Sequence, residues 1–561
     1  MSDRIDPRTG LRSLVDEYRR AGLSRREFVK RAALLGVSAP AAASLLAAAS
    51  PRLAAAQDTP QTGGTFTEGY DRDFTKMDPV LSGWADPGYN ALYEYVMLRD
   101  PDGKIVPALA DSWTVSDDGL TWTIKIRDGL KFHSGTPCTN ANVVEDFDLF
   151  RDPKTGQNAI FWNTVTDVKA GDGNTVIVTM AHPFAAFPET LATEYSMIHN
   201  QAARAAAGDT YGATTADGTG PFTLTEFTPG SQVRMAKWAD YPGTACPFIQ
   251  NKGPAYIDEL KWVPIVEAAN RANEMEAGDV DAIKNPAGQD VDRLKGNPDL
   301  VVQEWANPAN SFLALNWLRK DLEFDQLAVR QAISHAIDRE GLVKAIYFGH
   351  AVATQGPIAS NWKWYDPGVE QFNKFDLDLA NKMLDDQGWA KGSDGIRAKN
   401  GVKLSWTHLN WSGQTFGAQI SEAVAGMLAK VGADMKVESY QNPEFGTKLN
   451  SKDSPPDSFG YEWLWSSPMD VILLFNSIVP SMEYSGGIPN LLKAFDDWQK
   501  AGSDEELKAA ASKAQLIWAE QVPKIPLVTS NAIWVNHKKV HGWMPTQTML
   551  YPQYNDVWVE S

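Results

Sequence analysis

The feature that most limits how this chain can fold is a regular succession of strand and helix patterns between residues 310 and 440. SFLALNW, VKLSWTHLNW and ADMKVESY have the composition of strands, and the amphipathic segments QLAVRQAISHAIDREGLVKAIYFG, DLDLANKMLDDQGW and TFGAQISEAVAGMLAKVG lie between them. Gly388 and Gly432 close the last two of these helical segments. In the first, Asp338-Arg339 is predicted to be a solvated helix end. Strands joined through helices favour a parallel, helix-covered sheet, so the sequence predicts an α/β fold.

A segment richer in strands precedes this part of the chain, between residues 92 and 180. DDG at 117–119 is predicted to be a hairpin turn, because glycine readily adopts positive φ. The adjoining LTWTIKIR alternates apolar and polar residues, which predicts a half-buried strand. TNANVVEDFDLF begins with a Thr or Asn that can cap a helix, and it is predicted to be helical.

Residues 1–56 are predicted to be an export signal. They combine a basic region with Arg25 and Arg26, an alanine-rich apolar run, and a small-residue cleavage site at Ala54–Ala56. The order Ser-Arg-Arg-x-Phe-x-Lys resembles the twin-arginine signal, which exports folded proteins. A membrane anchor is the alternative, but a spanning helix needs about 20 strongly apolar residues. We expect the mature protein to begin near Gln57, outside the cytoplasm.

Composition narrows the class of protein further. A chain of 561 residues exceeds what one core holds, which suggests two or three domains. The net charge of −18 argues against nucleic acid or an anionic membrane surface as a partner. Cys138 and Cys246 could pair in an oxidising compartment, although a buried free thiol is favoured at Cys138. The 20 tryptophans either fill the core or line a ligand cleft.

Signatures of catalysis and of metal binding are weak. The sequence contains no G-x-S-x-G, no H-E-x-x-H and no phosphate-binding loop. Its eight histidines do not show the tight spacing of metal ligands, so no cofactor and no metal site are predicted, although a metal chelate stays open as a ligand. A secreted hydrolase is a remote alternative, because a pair of catalytic carboxylates has no sequence signature.

Several landmarks together resemble family 5 of the extracytoplasmic solute-binding proteins, the peptide, nickel and oligosaccharide receptors of ABC importers. The resemblance covers nearly the whole chain after residue 56 and implies two lobes joined by a hinge, with a solute held between them. It also implies a monomer that delivers the solute to membrane permease subunits. The landmarks are GGTFTEGY, VPALADSWTVSDDGLTWTIKIRDGLKFHSGTPCTNANVV, GTGPFTLTEFTPG, GDVDAI, VRQAISHAIDRE and DLDLANKMLDDQGW.

This resemblance gives the expected domain organisation. Domain I, a large discontinuous lobe, would combine residues 57–95, 216–308 and 521–561, and domain II, 96–215, would be inserted into it. Domain III, 309–520, would be the second α/β lobe. The two crossings between lobes, predicted near Asn307–Ser311 and Gln521–Pro526, would form the hinge.

Two places are predicted to contact the solute by their position. Tyr70 and Asp71 follow the opening strand, and in the family the loop at this place reaches into the cleft. The alternative is a turn with exposed acidic residues. Asn410 and Trp411 end a strand of the α/β lobe, and ligands of open α/β sheets gather at the carboxyl ends of strands. The alternative for Trp411 is a place in the core.

The stretch YEWLWSSPMD at 461–470 bears on the class of solute. In the family's peptide receptors the matching stretch carries an aromatic residue and then an acid that binds the ammonium group of the peptide. Here Trp463 and Trp465 precede Ser466, and the first acid is Asp470. An oligopeptide remains the expected solute, while the paired tryptophans and displaced acid keep an oligosaccharide or an opine-like molecule open.

Overall fold

The computed structural model describes residues 59–81, 86–156, 159–307, 310–360, 362–412, 417–441, 444–451, 453–462 and 488–560. All elements below belong to one compact unit, Gln61–Ser561. Within the described ranges, no helix is both long and apolar enough to cross a membrane.

The strands of the described residues are numbered in chain order. They are β1 Thr65–Tyr70, β2 Met97–Arg99, β3 Ile105–Pro107, β4 Ala110–Val115, β5 Thr121–Ile126, β6 Val165–Gly171, β7 Thr175–Met180, β8 Phe222–Thr228, β9 Gln232–Lys237, β10 Glu259–Pro264, β11 Ala282–Lys284, β12 Leu300–Ala306, β13 Ser311–Leu315, β14 Ala351–Ala353, β15 Ala390–Lys391, β16 Arg397–Lys399, β17 Val402–Lys403, β18 Ser405–Trp411, β19 Asp434–Tyr440, β20 Ser458–Glu462, β21 Ile525–Pro526, β22 Val528–His537, β23 Val540–His541 and β24 Trp558–Val559.

The α-helices of the same residues are numbered in the same way. They are α1 Tyr89–Leu92, α2 Asn140–Arg151, α3 Phe187–Leu191, α4 Gln201–Ala207, α5 Ala268–Ala277, α6 Gly288–Gly296, α7 Leu327–His335, α8 Arg339–Ile346, α9 Leu377–Asp386, α10 Gly417–Lys430, α11 Glu444–Leu449, α12 Pro489–Gln499 and α13 Asp504–Gln521. Thr139 caps α2 through a reciprocal side-chain interaction with Asn142, as the sequence predicts.

The large sheet has the order β12-β22-β11-β1-β10-β9-β8, with β14 also paired to β22. β1 runs parallel to β10 and to β11. Because side chains alternate along a strand, the sheet has two different faces. Phe66 and Tyr70 belong to an aromatic core on one face. Ile283 and Val535 belong to a smaller apolar core on the other face, together with residues of α5 and α6.

A four-stranded antiparallel sheet with the order β4-β5-β7-β6 forms a separate layer. The predicted strand LTWTIKIR is confirmed as β5, whose burial alternates along its length. The predicted DDG turn joins β4 to β5, and Gly119 there adopts a φ of 71°. Phe147 of α2 and Trp122 of β5 belong to the core of this layer.

The second α/β lobe contains a five-stranded sheet with the order β19-β18-β20-β13-β21. The sequence predicts a parallel sheet, and β18 does run parallel to β19 and to β20. However, β13 is antiparallel to both β20 and β21, so the sheet is mixed. The reason is topological, because β13 comes directly from the large sheet and pairs with β21, which leads back to it.

The predicted helical segment that contains Asp338 and Arg339 is divided into α7 and α8. The carboxylate of Asp338 accepts a hydrogen bond from the backbone N–H of Gly341 at 2.9 Å, so Asp338 is the N-cap of α8. The prediction of a solvated helix end is wrong for Arg339, which is 3% exposed. Its guanidinium group donates hydrogen bonds to the carbonyl groups of Pro526 and Asn373, each at 2.7 Å.

The chain passes between the large sheet and the five-stranded sheet at two adjacent places. β12 ends at Ala306 and β13 begins at Ser311, while β21 is followed by β22 after one residue, Leu527. Backbone hydrogen bonds join the two passages, from Asn307 N–H to Ser530 at 3.0 Å and from Leu527 N–H to Ser311 at 2.9 Å.

Both cysteines, Cys138 and Cys246, are buried and free. The preference for a buried thiol at Cys138 is therefore confirmed. Burial raises the pKa of the Cys246 thiol to about 11, which keeps this group protonated at neutral pH.

Candidate functional site

The carboxyl ends of β1 and β11 meet at one edge of the large sheet. Glu68 of β1 lies beside Ala282 of β11 in parallel register, so Tyr70 and Lys284, two residues further along, extend from the same face of the sheet. Asp71 and Asn285 follow directly after these strands. This edge therefore brings together polar groups from two strands separated by about 200 residues of chain.

Tyr70 is completely buried at this edge. Its hydroxyl group donates a hydrogen bond to Asp86 at 2.9 Å and lies 2.9 Å from the hydroxyl group of Tyr551. Both interactions keep the phenol ring in a fixed orientation. Contact between Tyr70 and a solute stays a prediction.

Asp71 accepts a hydrogen bond from the side-chain amide of Asn285 at 2.9 Å and forms an ion pair with Arg72. Burial alone would raise the pKa of Asp71, but the charges of Arg72, Lys284 and Arg271 outweigh it and lower the pKa to about 2. Asp71 is therefore ionised at neutral pH. Contact between Asp71 and a solute also stays a prediction.

The turn after β11 is held by the buried guanidinium group of Arg271. This group donates hydrogen bonds to the carbonyl oxygens of Ile265 at 2.6 Å, Val266 at 2.8 Å and Asn285 at 2.5 Å. Asn285 has a positive φ of 51°, a strained conformation that needs support from its surroundings. Arg271 thus fixes the residue whose side chain orients Asp71.

Lys284 lies between two aromatic rings. Its ammonium nitrogen is 4.9 Å from the ring centre of Trp534 and 4.7 Å from that of Tyr551, distances typical of cation–π interactions. Glu68, which lies two residues before Tyr70 in β1, accepts hydrogen bonds from Trp262 at 3.1 Å and Tyr554 at 3.0 Å. Burial raises the pKa of Glu68 to about 7, even though these two donors and Lys284 act against the shift.

A cavity opens beside Lys284 and encloses about 300 Å³ of unfilled space, its open side included. Three indole rings line it, those of Trp305 in β12, Trp534 in β22 and Trp362. Trp362 follows β14 in the chain, whereas Trp305 and Trp534 belong to the large sheet. The buried indole N–H of Trp362 has no hydrogen-bond partner. The remaining lining residues are Asn307, Ala532, Gln547, Thr548, Met549 and Leu550.

Asn410 and Trp411 end β18, at the corresponding edge of the five-stranded sheet. Asn410 is completely buried, its amide group donates a hydrogen bond to Ser439 at 2.9 Å, and its carbonyl oxygen accepts one from Ser421 at 3.3 Å. Trp411 stacks on Phe445 with ring centres 6.2 Å apart. Contact between these two residues and a solute stays a prediction, and both side chains also have neighbours within the protein.

The predicted contacts Trp463, Trp465 and Asp470 lie outside the described residues. Sequence reasoning missed Lys284, Trp305, Trp362 and Trp534. A signal existed for Lys284, which directly follows the GDVDAI landmark and ends the short strand β11. Among the described residues, no group of three or more His, Cys, Asp or Glu side chains is arranged to hold a metal ion.

Residues 104–477 match the family of bacterial extracellular solute-binding proteins, family 5 Middle. The chain belongs to this family. Family 5 proteins bind a small solute outside the cytoplasm and deliver it to the permease of an ABC importer, so the expectation of a solute-binding protein of an importer is confirmed at this level.

Relatives of known ligand agree with this family but differ in what they bind. The glutathione-binding protein GsiB of Escherichia coli K12 is 25% identical over 494 residues, which cover 85% of this chain and 91% of that protein. DppA of Helicobacter pylori, solved with the peptide STSA, has 21% identity and a TM-score of 0.77, covering 90% of this chain and all of that one. AppA of Bacillus subtilis, solved with a nonapeptide, has 20% identity, the same TM-score and the same coverage. These likenesses confirm the two-lobed binding-protein fold.

Proposed function

We propose that this protein binds a short oligopeptide and delivers it to the permease subunits of its importer. The observation that carries this proposal is the cavity beside Lys284, in which one ammonium group is combined with three indole rings. The ligands named for the relatives, glutathione, STSA and a nonapeptide, support a peptide as the solute.

Charge favours a peptide with a free carboxylate. Lys284 is the only charged side chain among the described residues that line the cavity, so a carboxylate is the ligand group that complements it. An ion pair shielded from water is stronger than one at the surface, because fewer water molecules screen it.

An oligosaccharide is the second candidate solute. The observation that favours it is the set of three indole rings around the cavity, because flat aromatic faces stack on sugar rings. An uncharged sugar would gain little from Lys284. The two candidates therefore differ in their dependence on this one ammonium group.

Titration calorimetry with tri-alanine and its C-terminal amide tests the peptide assignment. We expect the acid to bind the wild-type protein at least tenfold more tightly than the amide, a difference of about 1.4 kcal/mol. In Lys284→Met this preference should disappear, because the ammonium group that recognises the carboxylate is gone. The control variant Lys538→Met removes an exposed lysine just after β22 and should keep the preference.

Cellotriose in the same titrations separates the two candidates. Binding of cellotriose to wild type and to Lys284→Met with equal affinity, without binding of tri-alanine, would replace the peptide by a sugar. A tri-alanine preference that survives in Lys284→Met would show that the carboxylate lies elsewhere. In every case we expect ligands to raise the melting temperature and to keep their mass, since the proposed activity is binding without turnover.

We further propose the domain division 57–95 with 216–308 and 521–561, 96–215, and 309–520, for a protein that works as a monomer. The adjacent passages at Asn307 and Leu527 support a hinge there, because they join the two sheets through only a few residues. Tyr70, Asp71, Asn410, Trp411, Trp463, Trp465 and Asp470 remain the proposed solute contacts.

Export by the twin-arginine route is also proposed, from the position of Arg25 and Arg26 before the alanine-rich run. Replacing both residues by lysine should leave unprocessed precursor in the cytoplasm, because the route depends on the arginine pair. Immunoblots of cell fractions measure this. Normal processing near Ala56 in the double variant would contradict the assignment.

A further inference from the structure

Three consecutive residues, WKW at 362–364, connect the cavity beside Lys284 to the helices that precede β21. The indole ring of Trp362 lines the cavity. Two residues further along, the carbonyl oxygen of Trp364 accepts a hydrogen bond from the side-chain amide of Gln515 in α13 at 2.6 Å. The segment that carries Trp362 is therefore held on one side by α13.

Lys363, the middle residue of this segment, contacts a different part of the fold. Its ammonium nitrogen donates a hydrogen bond to the carboxylate of Glu189 in α3 at 2.6 Å. The same nitrogen lies 4.5 Å from the ring centre of Trp364, a distance typical of a cation–π interaction, so two contacts hold the lysine side chain. The ion pair joins parts of the chain that are 174 residues apart.

Glu189 is 6% exposed and is shared between two cations. Its Oε2 atom accepts a hydrogen bond from Nε of Arg99 at 2.7 Å, while its Oε1 atom accepts the one from Lys363. Burial alone would raise the pKa of Glu189, but the charges of Arg99 and Lys363 outweigh it and lower the pKa below its ordinary value. Glu189 is therefore ionised at neutral pH and binds both cations.

Arg99 extends these contacts to the wall of the cavity. Its buried guanidinium group donates a hydrogen bond to the carbonyl oxygen of Thr548 at 3.2 Å, and the hydroxyl group of Thr548 donates one to the carbonyl oxygen of Asp100 at 2.8 Å. Thr548 is one of the residues that line the cavity beside Lys284. One buried carboxylate thus connects, through two cations, the wall at Thr548 and the segment that carries Trp362.

We propose that the ion pair between Glu189 and Lys363 is a latch that fastens Trp362 at the wall of the cavity, which makes Glu189 a positioning residue for the bound solute. The role in solute binding rests on the proposed function, because that function places the solute in this cavity. It does not depend on whether the solute is a peptide or a sugar. Loss of the latch should shorten the time for which a solute stays bound, because most changes of affinity at one site act on dissociation.

The two ends of the latch should respond differently to substitution. The side chain of Lys363 is half exposed, and Glu189 keeps its ion pair with Arg99 when Lys363 is removed. Lys363→Met should therefore leave the melting temperature nearly unchanged. Glu189→Gln leaves the buried guanidinium group of Arg99 without its carboxylate and should lower the melting temperature. Lys363→Met is thus the variant that separates the latch from the stability of the fold.

Hydrogen–deuterium exchange of the full-length protein, without any solute, tests the latch. The backbone N–H of Tyr365 donates a hydrogen bond to the carbonyl oxygen of Trp362 at 3.0 Å, so its exchange reports on opening of the segment. We expect this amide to exchange at least fivefold faster in Lys363→Met than in wild type. In Lys363→Arg, which keeps the positive charge, it should exchange at the wild-type rate.

Lys374→Met is the matched control, because it removes an exposed lysine from the same stretch of chain and should leave the exchange of Tyr365 unchanged. An unchanged rate in Lys363→Met would overturn the latch. Equal acceleration throughout α13 would overturn it as well, since that result would show a general loss of stability rather than release of one segment.

Dissociation rates connect the latch to the solute. In stopped-flow experiments with tri-alanine, we expect Lys363→Met to release the peptide at least tenfold faster than wild type, with an association rate within twofold. Lys363→Arg should keep the wild-type dissociation rate. An unchanged dissociation rate in Lys363→Met would overturn the role of the latch in positioning.

The same measurements distinguish failure of the latch from failure of the proposed function. If wild type binds cellotriose instead of tri-alanine, the peptide assignment fails, and the dissociation of cellotriose from wild type and Lys363→Met then tests the latch. If neither probe binds, the solute assignment fails, and the exchange of Tyr365 alone decides whether the ion pair holds the segment of Trp362.

Discussion

The edge of the large sheet at β1 and β11 and the edge of the five-stranded sheet at β18 are built on opposite principles. At the edge of the large sheet, Asp71, Arg72 and Lys284 form a network of charges, and Arg271 holds the turn behind it. At the edge of the five-stranded sheet, His408, Asn410 and Ser421 form a neutral network of hydrogen bonds. Charged groups fix the orientation of a bound ligand, whereas neutral apolar walls select ligands by their size and polarity.

This difference also sets the cost of each edge to the stability of the protein. Buried charges are stable only while every partner remains in place, because a single uncompensated charge or carbonyl group is expensive. A neutral edge avoids this cost but depends on keeping its histidine uncharged. The two edges should therefore respond differently to mutation and in opposite directions to pH.

The largest effect is expected from breaking the support of the charged edge. Arg271→Met leaves the carbonyl groups of Ile265, Val266 and Asn285 without their donor inside the protein. At roughly 1–3 kcal/mol for each unsatisfied buried group, we expect the free energy of unfolding to fall by about 4 kcal/mol. Urea denaturation measures it. Lys538→Met, which removes an exposed cation near the same sheet, is the control, and a loss below about 1 kcal/mol in Arg271→Met would show that water replaces the guanidinium group.

The neutral edge should lose stability in acid. Burial lowers the pKa of His408 to about 3 in the folded protein, below its usual value of 6.5, so the unfolded chain binds the proton first as pH falls. From pH 8 to pH 4 this one residue should cost about 3 kcal/mol of stability. His408→Gln should remove that part of the pH dependence, measured by urea denaturation across this range. His182→Gln, at a partly exposed position, provides the comparison, and an unchanged acid slope in His408→Gln would refute the buried neutral imidazole.

At the charged edge, the free energy of unfolding should change with pH in the opposite direction and by a smaller amount. Burial raises the pKa of Glu68 to about 7 in the folded protein, so the folded state holds its proton to higher pH than the unfolded state does. The stability that Glu68 contributes is complete below about pH 4.5 and is lost as pH rises through 7, by about 2 kcal/mol between pH 5 and pH 8. Glu68→Gln should therefore gain stability relative to wild type over this interval, which thermal melts in matched buffers would report. Glu505→Gln, exposed at the start of α13, should follow wild type; a flat difference for Glu68→Gln would mean that Glu68 stays ionised throughout.

Local signals in the sequence predicted individual strands, turns and helix caps. The alternation in LTWTIKIR, the glycine of DDG and the capping residue of α2 act within a few residues, and the structure confirms each of them. The α/β class followed from the order of strands and helices. The antiparallel placement of β13 was not predicted, because it depends on the passage between lobes rather than on the strand itself.

The residues that line the cavity beside Lys284 could not be predicted from local signals either, because they come from distant parts of the chain. Trp362 meets Lys284 and Trp534 only after the chain has passed between the sheets, so no spacing in the sequence links these three residues. Arg339 looked like a solvated residue because its acceptors, Asn373 and Pro526, are distant in the chain. Tyr70 and Asp71 were selected because the loop after the opening strand reaches into the cleft in the family that the sequence resembles, and their role as solute contacts remains a prediction.

The unpartnered indole N–H of Trp362 has a spectroscopic consequence. Indole emission depends on the polarity and hydrogen bonding around the ring, and Trp305, Trp362 and Trp534 surround one cavity. A solute that accepts a hydrogen bond from Trp362 would change the ultraviolet emission of this ring directly. The protein thus carries its own optical reporter, and the difference between wild type and Trp362→Phe isolates its signal from that of the other tryptophans.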